Sequence, residues 1–480
     1  MKDLAHRACE AMTAAGVAYG DVRVRADRRE TIAVKNGRPE QVTQDRSAGF
    51  GVRVLVDGAW GFYASHRLEA ASAERVVREA VRIARASARV RGAPVVLAPL
   101  EPAQGRYETP ITQDPFRVPL EEKLRLLESA SKAMKGAHLA LAQAFGSAYE
   151  TEQVFASTEG ALIEQRIVQA GGGIAATAIG DGDLQVRSYP NSFRGNFVTG
   201  GWEYVESLNL VKEAPRVADE AETLLAAPPC PEGRRTIVLD GGQLALQVHE
   251  SCGHPVELDR ALGMELSYAG DSFLTPEKLG TFRYGSEAVS IVADATAPGG
   301  LGTFGWDDEG AAAQRTPIIE RGIFVGYLSS RETAPAIGRT SSGAMRASSW
   351  NRIPLVRMTN VNLEPGDAGS LEDLLADTGE GLLLETNRSW SIDSKRLNFQ
   401  FGVEMCREIC GGKCGRIYKN ATYTGLTPEF WASCDAVCGP QTWRLWGTPN
   451  CGKGEPGQTA RVGHGVAPAR FRNVRVGVKA

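Results

Sequence analysis

The 480-residue sequence predicts an α+β protein of two domains, residues 1–228 and 229–480, each with antiparallel or mixed sheets and flanking helices. Three observations predict it. Runs that alternate apolar and polar residues are punctuated by Asn-Gly and Asp-Gly pairs, which favour two-residue hairpin turns. Other segments carry apolar residues at helical spacing. A proline-rich break, "AAPPCPEGRR" at 226–235, divides the chain. A chain of this length also exceeds what one core usually organises.

The elements follow in order. Residues 3–16 predict a helix with Leu4, Ala8, Met12 and Ala15 roughly along one face. The stretch from Gly16 to Leu68 alternates through an "NG" and a "DG" pair, which predicts an antiparallel meander. Residues 68–90 and 119–135 restore helical periodicity. Residues 138–190 read as several short strands with a hairpin turn at "GDGD", and 203–226 as one helix. Beyond the break, "TIVLDGGQLALQVHESCGH" reads as strand, turn and helix, and the remainder is rich in glycine and short β-like runs.

Composition excludes several classes of function. The net charge of -3 and the lack of long like-charge runs give no basis for binding nucleic acid or an anionic membrane. No apolar run reaches the roughly 18 residues of a membrane span. The N-terminus has no apolar signal core. A cytoplasmic location is therefore expected. Nine cysteines, six of them between 406 and 451, suit reduced thiols or metal ligands better than a disulfide framework.

One stretch carries chemistry. "VHESCGHPVELD", 248–259, sets Glu250 beside His249 and places His254 five residues on. The common helical zinc-hydrolase signature spaces its histidines four apart. Five residues of an ideal α-helix turn through about 500°, which leaves the two rings about 140° apart. A π-type insertion would return them to one face, and Gly253 sits where a helix loosens most easily. From the spacing alone, a distorted zinc site and two unrelated histidines both remain open. In the zinc reading, the metal lowers the pKa of bound water toward ~7 and Glu250 carries the proton.

The surrounding residues decide further. "YGDVRVRADRRETIAVKNGRPEQV", "SAGFGVRVLVDGAWGFYAS", "HESCGHPVELD", "WDDEGAAAQRTPIIERGIFVGYLSSRETA", "RIPLVRMTNVNLEPGD" and "NCGKGEPGQTARVGHGVAPARF" resemble, in order, segments of the TldD/PmbA family. That family is described as modulators of DNA gyrase, and its active members are zinc metalloproteases with an HExxxH motif. The resemblance implies a Zn2+ held by His249, His254 and Cys451, with Glu250 as general base and acid. It implies a dimer, either of identical chains or with a motif-less TldE/PmbA-like paralogue, that hydrolyses unfolded or short peptides. Because His249, Glu250 and His254 are all present, the chain resembles the catalytic, TldD-type subunit. The alternatives are a non-catalytic partner subunit and a regulatory protein that acts by binding.

Other residues have narrower expectations. One of Glu257 and Asp259 is expected to orient a ligating imidazole. Asp307, Asp308 and Glu309 are expected to cap backbone groups in a tight turn. Cys406, Cys410, Cys414, Cys434 and Cys438 show CxxxC spacings, not the CxxC of zinc ribbons, and are expected as reduced, partly buried residues. His464 reads either as an electrophile for a substrate carbonyl or as a loop residue. Gly452 and Lys453 suggest an electropositive turn that ionises Cys451. His6, His66 and His138 receive no role.

Overall fold

Hairpins build the N-terminal half. In the computed structural model, which describes residues 1–90 and 92–477, Tyr19–Lys35 pairs antiparallel with Arg38–Val56, and that strand with Ala59–Ser65. Asn36 and Gly37 have φ of 49° and 72°, and Asp57 and Gly58 of 52° and 71°. Positive φ at both central residues gives a turn whose twist matches that of the strands. The "GDGD" turn has the same form, with Asp181 and Gly182 at 50° and 77°.

Residues 138–190 differ from the expected short strands. They hold two 19-residue strands, Leu139–Ser157 and Leu162–Gly180, followed by Asp183–Tyr189. The second strand runs unbroken through three consecutive glycines, 171–173. A Cβ on Gly171, Gly172 or Gly173 would lie 2.3 Å from the Phe197 ring, 2.4 Å from the Phe145 carbonyl or 2.5 Å from Gly195. Close backbone approach is what requires glycine there.

The eight-stranded sheet runs Ala59–Ser65, Arg38–Val56, Tyr19–Lys35, Leu139–Ser157, Leu162–Gly180, Gln104–Glu108; Asp183–Tyr189 and Asn196–Thr199 also pair with Leu162–Gly180. Strand alternation separates its faces. Val22 and Val24 pack in one cluster with helices Lys2–Ala14 and Ala70–Ala88. Ile32 and Val34 pack in another with helices Leu120–Ala133 and Leu210–Ala226. Arg23 and Arg25 point the other way and donate to the carbonyls of Arg352 and Ala347 in the C-terminal half. The single helix expected over 203–226 is instead two, Trp202–Ser207 and Leu210–Ala226. Asn209 separates them in a left-handed conformation, φ 51°, which asparagine tolerates and which ends a helix.

In the C-terminal half, Gly381–Ile392, Gly233–Leu239, Ala469–Val476, Thr422–Leu426 and Asn398–Cys410 neighbour one another in that order. The last pairs back onto the first, closing a circuit. A four-stranded sheet and a two-stranded ribbon, Arg444–Lys453 with Gln458–Val466, lie apart from it. Strand Gly233–Leu239 leads into helix Gly241–Val248, as expected. The Asp240 carboxylate accepts the Gln243 amide at 2.7 Å and so caps that helix. Leu244 and Val248 fix the helix in the core, against the ribbon and strand Val361–Leu363.

Candidate metal centre

The helix changes pitch after Val248. His249–Gly253 form a π turn, and the His254 amide donates to the His249 carbonyl, five residues back, at 3.2 Å. The extra residue brings both histidines to one face, with ring centroids 4.9 Å apart. Gly253 contributes by packing. A Cβ there would lie 2.2 Å from Met358 Sδ.

Cys451 arrives on the ribbon, and its Sγ lies 3.6 Å from His254 Nε2. One ligand atom from each of His249, His254 and Cys451 falls within 4.8 Å of the others. Among the described residues this is the one group of three or more His, Cys, Asp or Glu so placed. His249, His254 and Cys451 are 4%, 4% and 3% exposed.

Hydrogen bonds behind the rings set their tautomers. His464 Nδ1 lies 3.0 Å from the Val361 carbonyl and so carries its proton there. Its Nε2 then accepts from His249 Nδ1 at 2.8 Å. His254 Nδ1 donates to Glu257 at 3.0 Å. Both Nε2 lone pairs are left free, which suits metal ligation. Burial holds all three imidazoles below the ordinary histidine pKa, so they are neutral. Burial raises the Cys451 thiol; the positive charge of His254 whenever that ring is protonated, and that of Arg357, outweigh it and bring its pKa below 9.0.

The expected electropositive turn is not what lowers it. Cys451 and Lys453 lie in a strand, and the Lys453 ammonium is buried between Glu257 at 3.1 Å and Asp259 at 2.7 Å. The cation near the sulfur is Arg357, which donates to the Cys451 carbonyl at 2.7 Å. Of the two acids weighed as supports, Glu257 meets His254 and Asp259 meets Lys453. His464 stands behind His249 and is fully buried, so it orients that ring. Glu250 is 5% exposed, and its carboxylate contacts Arg396, which sequence reasoning missed. An arginine in "SIDSKRLNF" looks like any solvated turn residue.

The remaining candidates lie elsewhere. Asp307 accepts the amides of Glu309, Ala311 and Met345, as a turn cap does. Asp308 accepts from Gln153 and from the Ala347 amide, and Glu309 pairs with Arg53, so both tie the N-terminal sheet to the C-terminal half. Cys406, Cys434 and Cys438 are buried free thiols, while Cys410 and Cys414 are exposed. His6, His66 and His138 are exposed. No described helix is long and apolar enough to cross a membrane.

A buried two-histidine, one-cysteine cluster with a glutamate next to the first histidine is an arrangement suited to a metallohydrolase. Comparison with known proteins agrees. Residues 20–84 match PmbA/TldA metallopeptidase domain 1, 113–226 the central domain and 232–478 the C-terminal domain. A metalloprotease of Methanocaldococcus jannaschii is 32% identical over 93% of this chain and 94% of its own. A zinc metalloprotease TldD homolog of Saccharolobus solfataricus is 24% identical over 51% of this chain and 52% of its own. The crystal structure of TldE from Thermococcus kodakarensis shares the fold, with a TM-score of 0.73 at 15% identity over all of both chains. The chain belongs to the TldD/PmbA family of metallopeptidases.

Proposed function

We propose that the chain is a zinc-dependent peptidase of the TldD type, acting on unfolded or short peptides. The observation that carries this is the convergence of His249, His254 and Cys451 within 4.8 Å, beside Glu250. Two free Nε2 atoms and a thiol with lowered pKa supply three protein ligands, the number usual at a catalytic zinc. When bound, zinc supplies Lewis acidity and lowers the pKa of water toward ~7.

The chain's own residues do the rest. His464 and Glu257 hold the imidazoles in their ligating tautomers. Glu250 takes a proton from the attacking water as the new carbon–oxygen bond forms. It returns that proton to the amide nitrogen as the carbon–nitrogen bond breaks. Burial of the cluster limits water and favours an extended, unfolded chain over a folded domain. By the same reading the protein works as a dimer, with a second copy or with a TldE-like partner.

Glu250→Gln tests this. Hydrolysis of a denatured protein is expected to disappear while zinc per chain stays near that of the parent. Zinc lost in proportion to activity would give Glu250 a ligand's role instead. A non-catalytic subunit remains the rival, and the intact His249, Glu250, His254 and Cys451 favour the enzyme over it. A parent protein that binds no zinc would favour the rival.

A further inference from the structure

Glu250 has an ionic partner that no motif singles out. Nη1 of Arg396 contacts Glu250 Oε2. Nε of the same guanidinium is buried and has no hydrogen-bond partner among the described residues. The Arg396 side chain is still 15% exposed, so it stands at the solvent edge of a deeper cluster. A buried cationic N–H without an acceptor is disfavoured. Its placement points to an acceptor that arrives with a ligand.

The backbone holds Arg396 in a fixed place. Arg396 has φ 64°, a conformation for which glycine or asparagine is the ordinary choice. The turn around it is fixed on every side. The Asp393 carboxylate accepts the amides of Leu397 and Asn398 at 2.8 and 3.0 Å. Thr427 Oγ1 donates to the Arg396 carbonyl at 2.9 Å. Buried Arg260 donates to the Ser394 carbonyl at 2.6 Å.

We propose that Arg396 is a catalytic residue, steadying the Glu250 carboxylate through Nη1 and donating through Nε to the scissile carbonyl oxygen as it gains negative charge. This rests on the peptidase reading. A guanidinium suits the task because its rigid fork serves two acceptors at once, which an ammonium does less well. A fixed donor aimed at developing charge lowers the barrier without reorganisation.

The test compares the parent with Arg396→Ala and Arg396→Lys at matched zinc content. Steady-state kinetics give kcat and KM. Calorimetry gives the affinity for a phosphinic peptide, whose tetrahedral, anionic phosphorus replaces the scissile amide. The alanine variant is expected to lose about 100- to 1000-fold in kcat with KM little changed, and to bind the phosphinic peptide correspondingly less tightly. The lysine variant is expected to fall between. Should the alanine variant fail to fold, the lysine variant decides. Phosphinic-peptide affinity unchanged from the parent, or a loss confined to KM, would overturn the role of Arg396 alone. A parent that hydrolyses no peptide would overturn the peptidase reading, and this role with it.

Discussion

His464 Nε2 lies 2.8 Å from His249 Nδ1, and the Val361 carbonyl anchors His464 in turn. The pair fixes which nitrogen of His249 is free. His464→Ala is expected to weaken zinc binding about 10- to 100-fold, the range for losing an outer partner of a ligating histidine. His464→Gln, which can accept from one side and donate to the other, is expected to keep most of the affinity. Competition with a chelator of known strength measures both. Equal affinity in the alanine variant and the parent would mean His249 needs no such support.

Glu257 serves four neighbours, Arg357 Nε among them at 4.0 Å. It accepts from His254, pairs with Lys453 and accepts the Met358 amide at 3.2 Å. All lie in a region closed to solvent. Glu257→Ala leaves the Lys453 charge short of a buried partner, so a loss of about 3–5 kcal/mol is expected. Urea unfolding of metal-free protein checks this, and a loss under about 1 kcal/mol would show that Asp259 and Glu265 suffice for Lys453.

Gly253→Ala is expected to destabilise by about 1–3 kcal/mol, because its Cβ would meet Met358 Sδ. Met358→Ala should recover part of that loss in the double variant. Additive losses would mean the strain lies in the π turn, not in the contact.

How far the sequence reveals this site differs residue by residue. The five-residue spacing of His249 and His254 calls for an inserted turn, and the π turn supplies it, because helix geometry is a local rule. The Asn36-Gly37 and Asp57-Gly58 turns were legible for the same reason. The unbroken strand through the glycines at 171–173 was not legible, since the need for glycine there comes from Phe197, Phe145 and Gly195, which no local pattern joins. The break at Asn209 hid within continuous helical periodicity. Lys453 and Arg396 took their meaning from residues 146 or more positions away, among them Glu250 and Asp259.

Acid is expected to weaken the metal-free protein through its buried histidines. His249, His254 and His464 have folded-state pKa values below the ordinary 6.5. The unfolded chain therefore binds these protons first. Their contribution is full above about pH 6.5 and is lost as pH falls below it, until the folded groups themselves protonate. Raised carboxylates such as Glu404, pushed up to about 7 by burial, act in the opposite sense. The histidine share is read from the difference between the parent and His464→Gln, whose stability is expected to decline less steeply from about pH 7 to 5. Parallel declines would remove His464 from the account.

X-ray absorption at the zinc edge tests the centre most directly. One sulfur at about 2.3 Å with two nitrogens at about 2.0–2.1 Å is expected in the parent, and the sulfur is expected to vanish in Cys451→Ala. A spectrum with no sulfur, with several, or with one that survives the loss of Cys451 would contradict the His249, His254 and Cys451 site.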